Sequence, residues 1–370
     1  MSLSIGIVGL PNVGKSTLFN ALVKNAQAEA KNFPFTTIDP NVGIVPVPDK
    51  RLTQIAKVEK SQKVVQATVE FTDIAGIIAG AHKGEGLGNQ FLRHIREVDA
   101  ICLVTRIFDN ADTIHVEGKI DPQRDTEIIL SELALADLQT IEKIRPRLES
   151  QSKNLGDDGK EAKKTLGLIS RIEPVLNNGK LASSISFDED DQELLKRNLP
   201  LLTIKPLMLV FNVSENDAGI SPDDLINKYN LRALLPAETP AVAISAKIES
   251  ELAILDDSDK KEFLDSLGLK EPGLDRLIRG AYKLLGLITF LTGGEQEARA
   301  WTTKSGSTAP EAAGVIHTDF QKNFIRAEVV AYDDFIKYNG WSGSSTAGKM
   351  HLEGKDYIVR DGDVMFFRHS

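Results

Sequence analysis

Apolar and polar positions along the chain first predict a parallel sheet with helices between its strands. Residues 5–8 form an apolar run that is typical of a buried parallel strand, and a helical pattern with one apolar face follows at 15–23. Further patterns predict strands at 43–47, 64–72, 99–108, 205–213 and 240–244, and helices at 49–58, 89–98, 249–269 and from 272. This alternation predicts a doubly wound α/β sheet domain.

A second pattern interrupts the alternation. From Thr126 apolar residues recur at helical spacing to about Glu149, a polar turn with two glycines follows at 151–160, and another helical pattern ends near Leu176. We therefore predict that 126–200 is an α-helical hairpin, or short coiled coil, inserted into the sheet domain.

The pattern changes again from Leu287 onward. Short strands are predicted at 288–292, 298–303, 324–330 and 356–360, a short helix at 310–315, a tight turn at 361–363 and a Gly- and Ser-rich loop at 339–350. These elements predict a small mixed β domain. The predicted domains are thus a nucleotide-binding domain made of 1–125 and 201–286, the insertion 126–200 and a C-terminal domain 287–370.

Composition adds limits on location and partners. The chain has 370 residues, of which 41% are hydrophobic and 26% charged, as in soluble globular proteins of two or three domains. No apolar run is long enough to span a membrane, and 1–4 lead straight into a strand, so we expect a cytoplasmic protein with no membrane partner. The net charge of −9 argues against indiscriminate nucleic-acid binding but leaves room for a local contact surface.

The motif G-x-x-x-x-G-K-S lies at 9–16, between the first predicted strand and helix. Gly9 and Gly14 allow the backbone N–H groups to point at phosphate oxygens, and the helix adds its positive N-terminal end. Lys15 is expected to reach the β- and γ-phosphates, and the Ser16 hydroxyl to ligate Mg²⁺. The alternative is a Gly-rich turn before an ordinary helix, but both flanking elements are of the type that a phosphate-binding loop requires.

Two later segments fit a nucleotide switch. Residues 32–41 contain two prolines and paired threonines, which predicts a loop whose threonine senses Mg²⁺ and the γ-phosphate, with a solvated proline turn as the alternative. The motif D-x-x-G begins at Asp73, where the strand predicted at 64–72 ends. In P-loop enzymes this Asp binds Mg²⁺ through water, and a Gly at the position of Gly76 brings its N–H to the γ-phosphate.

The residue that activates the attacking water is less evident. Ile77 stands where Ras-like enzymes carry a Gln, and its side chain cannot hydrogen-bond to water, so we expect slow intrinsic turnover. His115, in a polar loop of the same domain, is our candidate because a neutral imidazole can orient water or accept its proton near pH 7. The alternatives are a solvated loop histidine here and a catalytic group supplied by a partner.

The residues on the base side leave the nucleotide open. GTPases carry Asn-Lys-x-Asp at this strand end, whereas 212–215 read Asn-Val-Ser-Glu, without the Lys and with a longer acid. An Asn amide can pair with adenine, and a repositioned Glu could still accept hydrogen bonds from guanine. The next strand ends in Ser-Ala-Lys at 245–247.

These features together resemble the YchF/Obg-like ATPase family. The resemblance rests on 9–17, 32–41, 73–80, the inserted hairpin, Asn-x-x-Glu at 212–215 and a segment typical of a TGS domain at 313–320. It covers essentially the whole chain. It implies an Obg-related GTPase fold with a C-terminal β-grasp TGS domain, and a monomeric switch that prefers ATP, hydrolyses it slowly and associates with the ribosome.

The resemblance also assigns residues to the site. The expected phosphate-binding residues are Asn12, Val13, Gly14, Lys15, Ser16 and Thr17, with Gly76 at the γ-phosphate. The expected magnesium ligands are Ser16, Thr36 and Asp73. The residues expected at the adenine are Asn212, Val213, Glu215, Ser245, Ala246 and Lys247. Lys15 and His115 are the expected catalytic residues, and Asn12 matches potassium-activated relatives, which adds K⁺ to the expected cofactors.

Two rival functions stay open at this point. One is a GTPase translation factor, and the other is a non-catalytic ribosome- or RNA-binding protein in which the nucleotide is structural. In either case the hairpin and the C-terminal domain are expected to provide the surfaces for the ribosome and its rRNA, because neither carries a catalytic group of residues.

Overall fold

A computed structural model of the chain describes residues 3–29, 41–76, 87–108 and 120–370. The described strands are β1 (Ser4–Val8), β2 (Val42–Pro46), β3 (Lys63–Val65), β4 (Thr68–Asp73), β5 (Ala100–Arg106), β6 (Leu207–Asn212), β7 (Ala241–Ile244), β8 (Leu287–Gly293), β9 (Glu297–Lys304), β10 (Phe324–Ala331), β11 (His351–Glu353) and β12 (Asp363–His369).

Helices connect most of these strands. They are α1 (Lys15–Glu29), α2 (Lys50–Glu59), α3 (Leu87–Glu97), α4 (Pro122–Gln151), α5 (Asp157–Asn177), α6 (Glu189–Asn198), α7 (Pro222–Lys228), α8 (Ala246–Leu252), α9 (Asp257–Ser266), α10 (Gly273–Leu284), α11 (Ala309–Ile316), α12 (Thr318–Lys322), α13 (Tyr332–Lys337) and α14 (Trp341–Thr346). None of the helices within the described ranges is long and apolar enough to cross a membrane.

The chain divides into two compact units at limits other than the predicted ones. The first comprises Leu3–Leu22 and Phe71–Leu277, and the second comprises Val23–Glu70 and Ile278–Ser370. A stretch near the N-terminus therefore groups with the C-terminal residues. The domain limits that we predicted from the sequence stay predictions.

The first unit contains the parallel sheet. Within this unit the strand order is β4-β1-β5-β6-β7, and the unit contains only the last residues of β4, from Phe71. Ile5 lies opposite Ala100, and Ile101 lies opposite Leu207. Every residue of β1, β5 and β6 is buried, as expected for parallel strands that are covered on both faces. The predicted α/β fold is confirmed, and the carboxyl ends of these strands meet at one edge, where ligands of such sheets bind.

Helices α4 and α5 form the predicted hairpin of the first unit. Apolar residues from both helices and from α6 share one buried cluster, which includes Ile141, Ile169 and Leu195. At the base of the hairpin the Asp137 carboxylate accepts hydrogen bonds from the Thr203 hydroxyl at 2.6 Å and from the Thr203 N–H at 2.8 Å. Burial raises the pKa of Asp137 to about 6, so these hydrogen bonds offset the cost of burying its charge.

The second unit is built on a mixed sheet with the order β11-β10-β12-β8-β9-β3. Strands β8 and β9 form a regular antiparallel pair, and β3 extends the sheet in parallel beside β9, with Val65 opposite Arg299. Phe290, Met365 and Phe367 belong to its core, which packs against α11. The strand predicted at 64–72 is therefore two strands, because its first residues pair in this sheet while β4 continues separately.

Two predictions for the C-terminal segment were wrong. The residues at 356–360 form no strand apart from one isolated bridge at Ile358, and the prediction missed the strands β11 and β12. The turn before β12 is held by the Asp363 carboxylate, which accepts from the Tyr357 hydroxyl at 2.7 Å and from the Arg360 N–H at 2.9 Å. Tyr357 and Arg360, which were predicted to lie in a strand, therefore donate hydrogen bonds that hold a turn.

The predicted loop at 339–350 contains a short helix instead, α14. Its first residue, Trp341, packs edge-on against Phe335 at 5.3 Å between ring centroids, and the indole N–H donates to the carbonyl of Gly293 at 3.3 Å. Gly and Ser content predicts a loop, but the ring contact and the hydrogen bond of Trp341 hold a short helix here.

Candidate functional site

The phosphate-binding loop runs between β1 and α1. Asn12 and Gly14 adopt positive φ angles of 64° and 98°, which lets the backbone turn sharply at these two residues. The N–H of Leu18 then donates to the carbonyl of Gly14 at 3.0 Å, and α1 begins at Lys15. The free N–H groups of a helix start therefore follow directly on the loop, as an anion-binding site requires.

Close packing explains both glycines of the motif. A Cβ atom on Gly9 would lie 2.5 Å from the carbonyl oxygen of Val104, and one on Gly14 would lie 2.2 Å from the side-chain nitrogen of Asn212. Real side chains do not approach this closely, so any larger residue would displace the loop from β5 or from β6. The loop conformation is thus fixed by the sheet beneath it.

Lys15 is the only lysine among the described residues that is buried, with 7% of its surface exposed. Its ammonium donates to the carbonyl of Leu10 at 2.8 Å, and a Cβ atom on Gly76 would lie 3.0 Å from it. Burial lowers the pKa of Lys15 to about 8, although the nearby Asp73 carboxylate opposes that shift. The site thus holds a poorly solvated cation that a phosphate group would stabilise.

Ser16 and Asp73 meet beside this lysine. The Ser16 hydroxyl donates to Asp73 Oδ2 at 2.9 Å, while Asp73 Oδ1 is buried without a hydrogen-bond partner in the described structure. Burial raises the pKa of Asp73, and the hydrogen bond from Ser16 and the charge of Lys15 act in the opposite direction. A hydroxyl and an unsatisfied carboxylate oxygen are ligands that Mg²⁺ prefers, so these residues fit the ion.

Asn212 ties the loop to the base side of the sheet. Its amide nitrogen donates to the carbonyl of Val13 at 2.9 Å, and its amide oxygen accepts from the N–H of Ala246 at 3.2 Å. The N–H of Val213 donates to the carbonyl of Ile244 at 2.9 Å. Asn212 and Val213 therefore brace neighbouring elements, and their contact with a base stays a prediction.

The predicted base-side residues Glu215 and Lys247 form an ion pair. Their side chains lie 3.0 Å apart and are 45% and 67% exposed. The hydrogen bond to Glu215 raises the pKa of Lys247. Ser245 and Ala246 are buried at the start of α8, so the structure brings all four residues of this group to the same edge.

Arg106 is a residue of this region that the sequence analysis missed. It ends β5 and is 2% exposed, and its guanidinium donates to the carbonyls of Phe108 at 2.9 Å and Asn12 at 3.4 Å. The signal was present as a basic residue at the carboxyl end of a buried strand. Arg106 lies opposite Asn212 in the pairing of β5 with β6, so both residues hold the loop from neighbouring strand ends.

Three predicted residues cannot be placed in this geometry. Thr36, Ile77 and His115 lie outside the described residues, together with most of the two predicted switch segments. Thr17 is exposed on the first turn of α1, next to Ser16. Among the described residues, no group of three or more His, Cys, Asp and Glu side chains forms another metal site.

P-loop nucleoside triphosphatases bind phosphate with a glycine-rich turn between a buried parallel strand and a helix that begins with a lysine and a serine. The loop between β1 and α1 has this arrangement. The chain is therefore a P-loop nucleoside triphosphatase. Residues 4–144 match the family model described as 50S ribosome-binding GTPase. Residues 287–370 match the model of the YchF GTPase C-terminal region, described as a protein of unknown function.

Full-length relatives narrow the class further. The chain is 53% identical to the ribosome-binding ATPase YchF of Haemophilus influenzae and 51% identical to that of Bacillus subtilis, and each alignment covers 100% of both chains. A solved structure of the Schizosaccharomyces pombe YchF GTPase superposes with a TM-score of 0.88 at 36% identity, covering 99% of this chain and 98% of that one. The chain belongs to the YchF family.

Proposed function

We propose that the chain hydrolyses ATP to ADP in a Mg²⁺-dependent reaction and acts as a nucleotide-driven switch that associates with the ribosome. The observation that carries the proposal is the contact between Ser16 and Asp73 beside the buried ammonium of Lys15. The names of the relatives, which are ribosome-binding ATPases, support the choice of nucleotide and partner.

Each residue of the cluster has a separate task in this proposal. Ser16 and Asp73, with Thr36 from the predicted switch loop, would hold Mg²⁺, which neutralises charge on the β- and γ-phosphates when it is bound. Lys15 supplies the second positive charge, and Gly76 leaves room beside it because a side chain there would meet the ammonium. Asn12 would lie next to a K⁺ ion beside the phosphates.

The water-activating residue is assigned to His115 in this proposal, since Ile77 cannot hydrogen-bond to water. Phosphoryl transfer relies on positioning and charge stabilisation, so intrinsic turnover without a Gln at this position should be slow. Replacing His115 with Ala should lower kcat, most clearly with ribosomes present, while ATP affinity stays within a few-fold. An unchanged kcat in both conditions would favour a group supplied by the partner.

GTP is the second candidate substrate. The family model of residues 4–144 and the yeast structure both carry the name GTPase, and the exposed Glu215 carboxylate could accept from guanine. In the described structure this carboxylate is paired with Lys247, which reduces its availability and favours ATP. Calorimetric titration with each nucleotide separates the two candidates, and equal or reversed affinities would contradict the preference for ATP.

Ribosome association is proposed for the hairpin and for a C-terminal TGS domain at 287–370 of a monomeric, cytoplasmic protein. Cosedimentation with ribosomes tests it: the full chain should pellet with them, and a chain without 287–370 should bind ATP but pellet less. Pelleting that does not change after this deletion would show that the C-terminal residues do not carry the contact.

A further inference from the structure

A cavity of about 780 Å³ lies in the first unit, at the base of the hairpin. Its walls come from the end of α3, the segment 183–187, the helix α6 and the connector 199–206 that leads into β6. None of the described residues that line it belongs to the proposed nucleotide site. Pockets for small organic molecules commonly occupy roughly 300–1,000 Å³, so this one, which we call the hairpin-base cavity, has a suitable size.

Apolar side chains form the larger part of the lining of the hairpin-base cavity. Leu195 and Leu199 belong to the buried core of the hairpin, and Ile185, Phe187 and Ile204 pack against that core while they stay partly exposed. All of these side chains except Phe187 are aliphatic. Such a wall releases water most favourably when an apolar ligand covers it, and a flexible alkyl chain can follow its irregular surface.

Hydrogen bonds hold two of the walls in place. The guanidinium of Arg171 donates to the carbonyl of Ser186 at 2.9 Å, which fixes the segment 183–187. In the connector, the Asp137 carboxylate accepts a hydrogen bond from the N–H of Leu202 at 2.8 Å. These contacts form within the protein itself, so the hairpin-base cavity exists before any ligand enters it, as is usual for binding pockets.

The charged residues that line the cavity are mostly basic. They include Arg96, Lys196 and Lys205. Asp99 is the one acid among the described lining residues, and its Oδ2 atom accepts a hydrogen bond from the N–H of Ser4 at 2.9 Å. Part of the negative charge is therefore already bound to the backbone. Three cations and one acid favour a ligand with a negative charge.

Lys205 is held where its ammonium can meet such a ligand. The ammonium donates to the carbonyl of Arg96 at 3.1 Å and also to the carbonyl of Val98, at the end of α3. Two of its three N–H donors are thus used, and the third can bind an anion. Burial lowers the pKa of Lys205, although the charges of Asp99 and Asp137 oppose this shift. A ligand carboxylate would stabilise this poorly solvated cation.

We propose that the hairpin-base cavity binds a medium-chain alkyl carboxylate, with the carboxylate at Lys205 and Arg96 and the alkyl chain along Ile185 and Ile204. Ammonium and guanidinium groups form strong, charge-assisted hydrogen bonds with carboxylates. An acidic peptide would also supply a negative charge, but its backbone polar groups would face an apolar wall without hydrogen-bond partners. The combination of an aliphatic wall and a cation at its end therefore favours the alkyl carboxylate.

Calorimetric titration of the full chain with decanoate, in the absence of nucleotide, tests the proposal. Affinity should rise with chain length, by about fourfold for each CH₂ group that is buried, so octanoate should bind roughly tenfold more weakly than decanoate. Decanol has the same chain without the charge, and it should bind at least about tenfold more weakly because the charged hydrogen bonds are lost. Equal affinities of octanoate and decanoate would overturn the proposal.

A first variant tests the cation. Lys205→Met keeps the stem of the side chain and removes the charge, so decanoate should bind about tenfold more weakly while the affinity for decanol stays within a few-fold. The matched control is Lys163→Met, at an exposed lysine on α5 of the same unit, which changes the net charge equally and should bind like the parent. Equal weakening of decanoate binding by both substitutions would contradict a specific role of Lys205.

Arg96→Gln provides a second test of the charge, should Lys205→Met fail to fold. Lys205 bonds to the backbone carbonyl of Arg96, which this substitution keeps. Binding of decanoate should weaken about fivefold, whereas Arg93→Gln, at an exposed arginine on the same helix, should have no effect. If Arg96→Gln binds decanoate as the parent does, the proposed position of the carboxylate is wrong.

A third variant tests the volume of the cavity. Ser186 is exposed and lines the cavity, so Ser186→Trp should occupy part of it and weaken binding of both decanoate and decanol. Ser170→Trp, at an exposed serine on α5, is the control and should bind both ligands like the parent. Unchanged affinities for Ser186→Trp would overturn the proposal. Tighter binding of a peptide of alternating glutamate and leucine than of decanoate would assign the cavity to a protein segment instead.

The proposal does not rest on the proposed enzyme function, because the titrations contain neither nucleotide nor ribosomes. ATP turnover of the same variants, measured separately, reports on the phosphate site. A folded chain that hydrolyses ATP but does not bind decanoate would contradict the alkyl carboxylate site and leave the proposed function intact.

Discussion

The two ends of the proposed nucleotide site differ in how they are held. At the phosphate end, Lys15 is buried, and both glycines of the loop touch neighbouring strands so closely that no side chain fits. At the base end, Glu215 and Lys247 meet in an exposed ion pair. Exposed pairs contribute little to stability because water screens them, whereas buried contacts allow few substitutions.

This difference distinguishes residues that the fold requires from residues that determine which nucleotide binds. The phosphate end is built mainly from backbone geometry, which most side chains would disrupt. At the base end, the exposed side chains Glu215 and Lys247 can change without affecting the sheet, whereas Asn212 is buried and braces the loop. We therefore expect substitutions at the phosphate end to have large effects, and substitutions of Glu215 or Lys247 to change nucleotide preference while leaving stability nearly unchanged.

The largest effect should come from Lys15→Met, which keeps the buried stem and removes the charge. ATP turnover should fall by about 100-fold or more, because a positive charge at the phosphates is removed from a site with little water. The matched control is Lys24→Met, an exposed lysine on the same helix, which should behave like the parent. Near-normal turnover by folded Lys15→Met would remove Lys15 from the phosphate site.

Gly14→Ala should have the next largest effect, on folding stability. Its φ of 98° costs alanine roughly 1–3 kcal/mol, and the new Cβ atom would also meet the amide of Asn212. Gly156→Ala is the control, because its φ is 118° but nothing lies within 4 Å of the added Cβ. Urea unfolding should show a larger decrease in stability for Gly14→Ala, and equal decreases would mean that the contact with Asn212 is unimportant.

In the candidate site, the sequence predicted the backbone turn of the phosphate-binding loop best. The backbone geometry of the loop requires the spacing of Gly9, Gly14 and Lys15. This spacing can therefore be recognised in the sequence alone. Arg106 was missed because its contact with Asn12 depends on which strand lies next to β1. The pairing of β3 with β9 was missed for the same reason, since a short strand pattern does not indicate its partner.

Elements whose limits depend on single contacts were also difficult to predict. Both β12 and α14 follow polar or glycine-rich stretches that are typical of loops. They are fixed by the hydrogen bonds of Asp363 and by the packing of Trp341, which no periodic pattern records. The hairpin, in contrast, repeats its apolar spacing over many turns, and its two helices were predicted correctly.

The pH dependence of nucleotide binding should be smaller than the effects of Lys15→Met and Gly14→Ala and larger than that of Glu215→Asp. The pKa of Lys15 in the free protein is lowered to about 8, and bound phosphates would favour its charged form. Below this pH the ammonium is already present, so affinity should be nearly constant. Above it, binding must also take up a proton, and affinity should fall by about tenfold per pH unit. Titrations from neutral to alkaline pH that show no such decline would contradict the assignment.

The smallest effect is expected from Glu215→Asp. The shorter acid restores the residue type of the guanine motif, so the ratio of GTP to ATP affinity should rise, but only a few-fold because the Lys of that motif is absent. Thermal unfolding should be unchanged. Glu238→Asp, at another exposed acid, controls for the substitution and should leave the ratio as it is. A large decrease in stability at Glu215 would contradict the proposed division between the two ends.

The central claim is that Ser16 and Asp73 hold Mg²⁺ for ATP hydrolysis, and phosphate release measured across a magnesium titration tests it most directly. The parent protein should release phosphate from ATP only when Mg²⁺ is present. Asp73→Asn keeps the size of the side chain but weakens the metal site, so it should need far more Mg²⁺ or show little release, while Asp265→Asn should match the parent. Identical magnesium dependence for Asp73→Asn and the parent would contradict the claim.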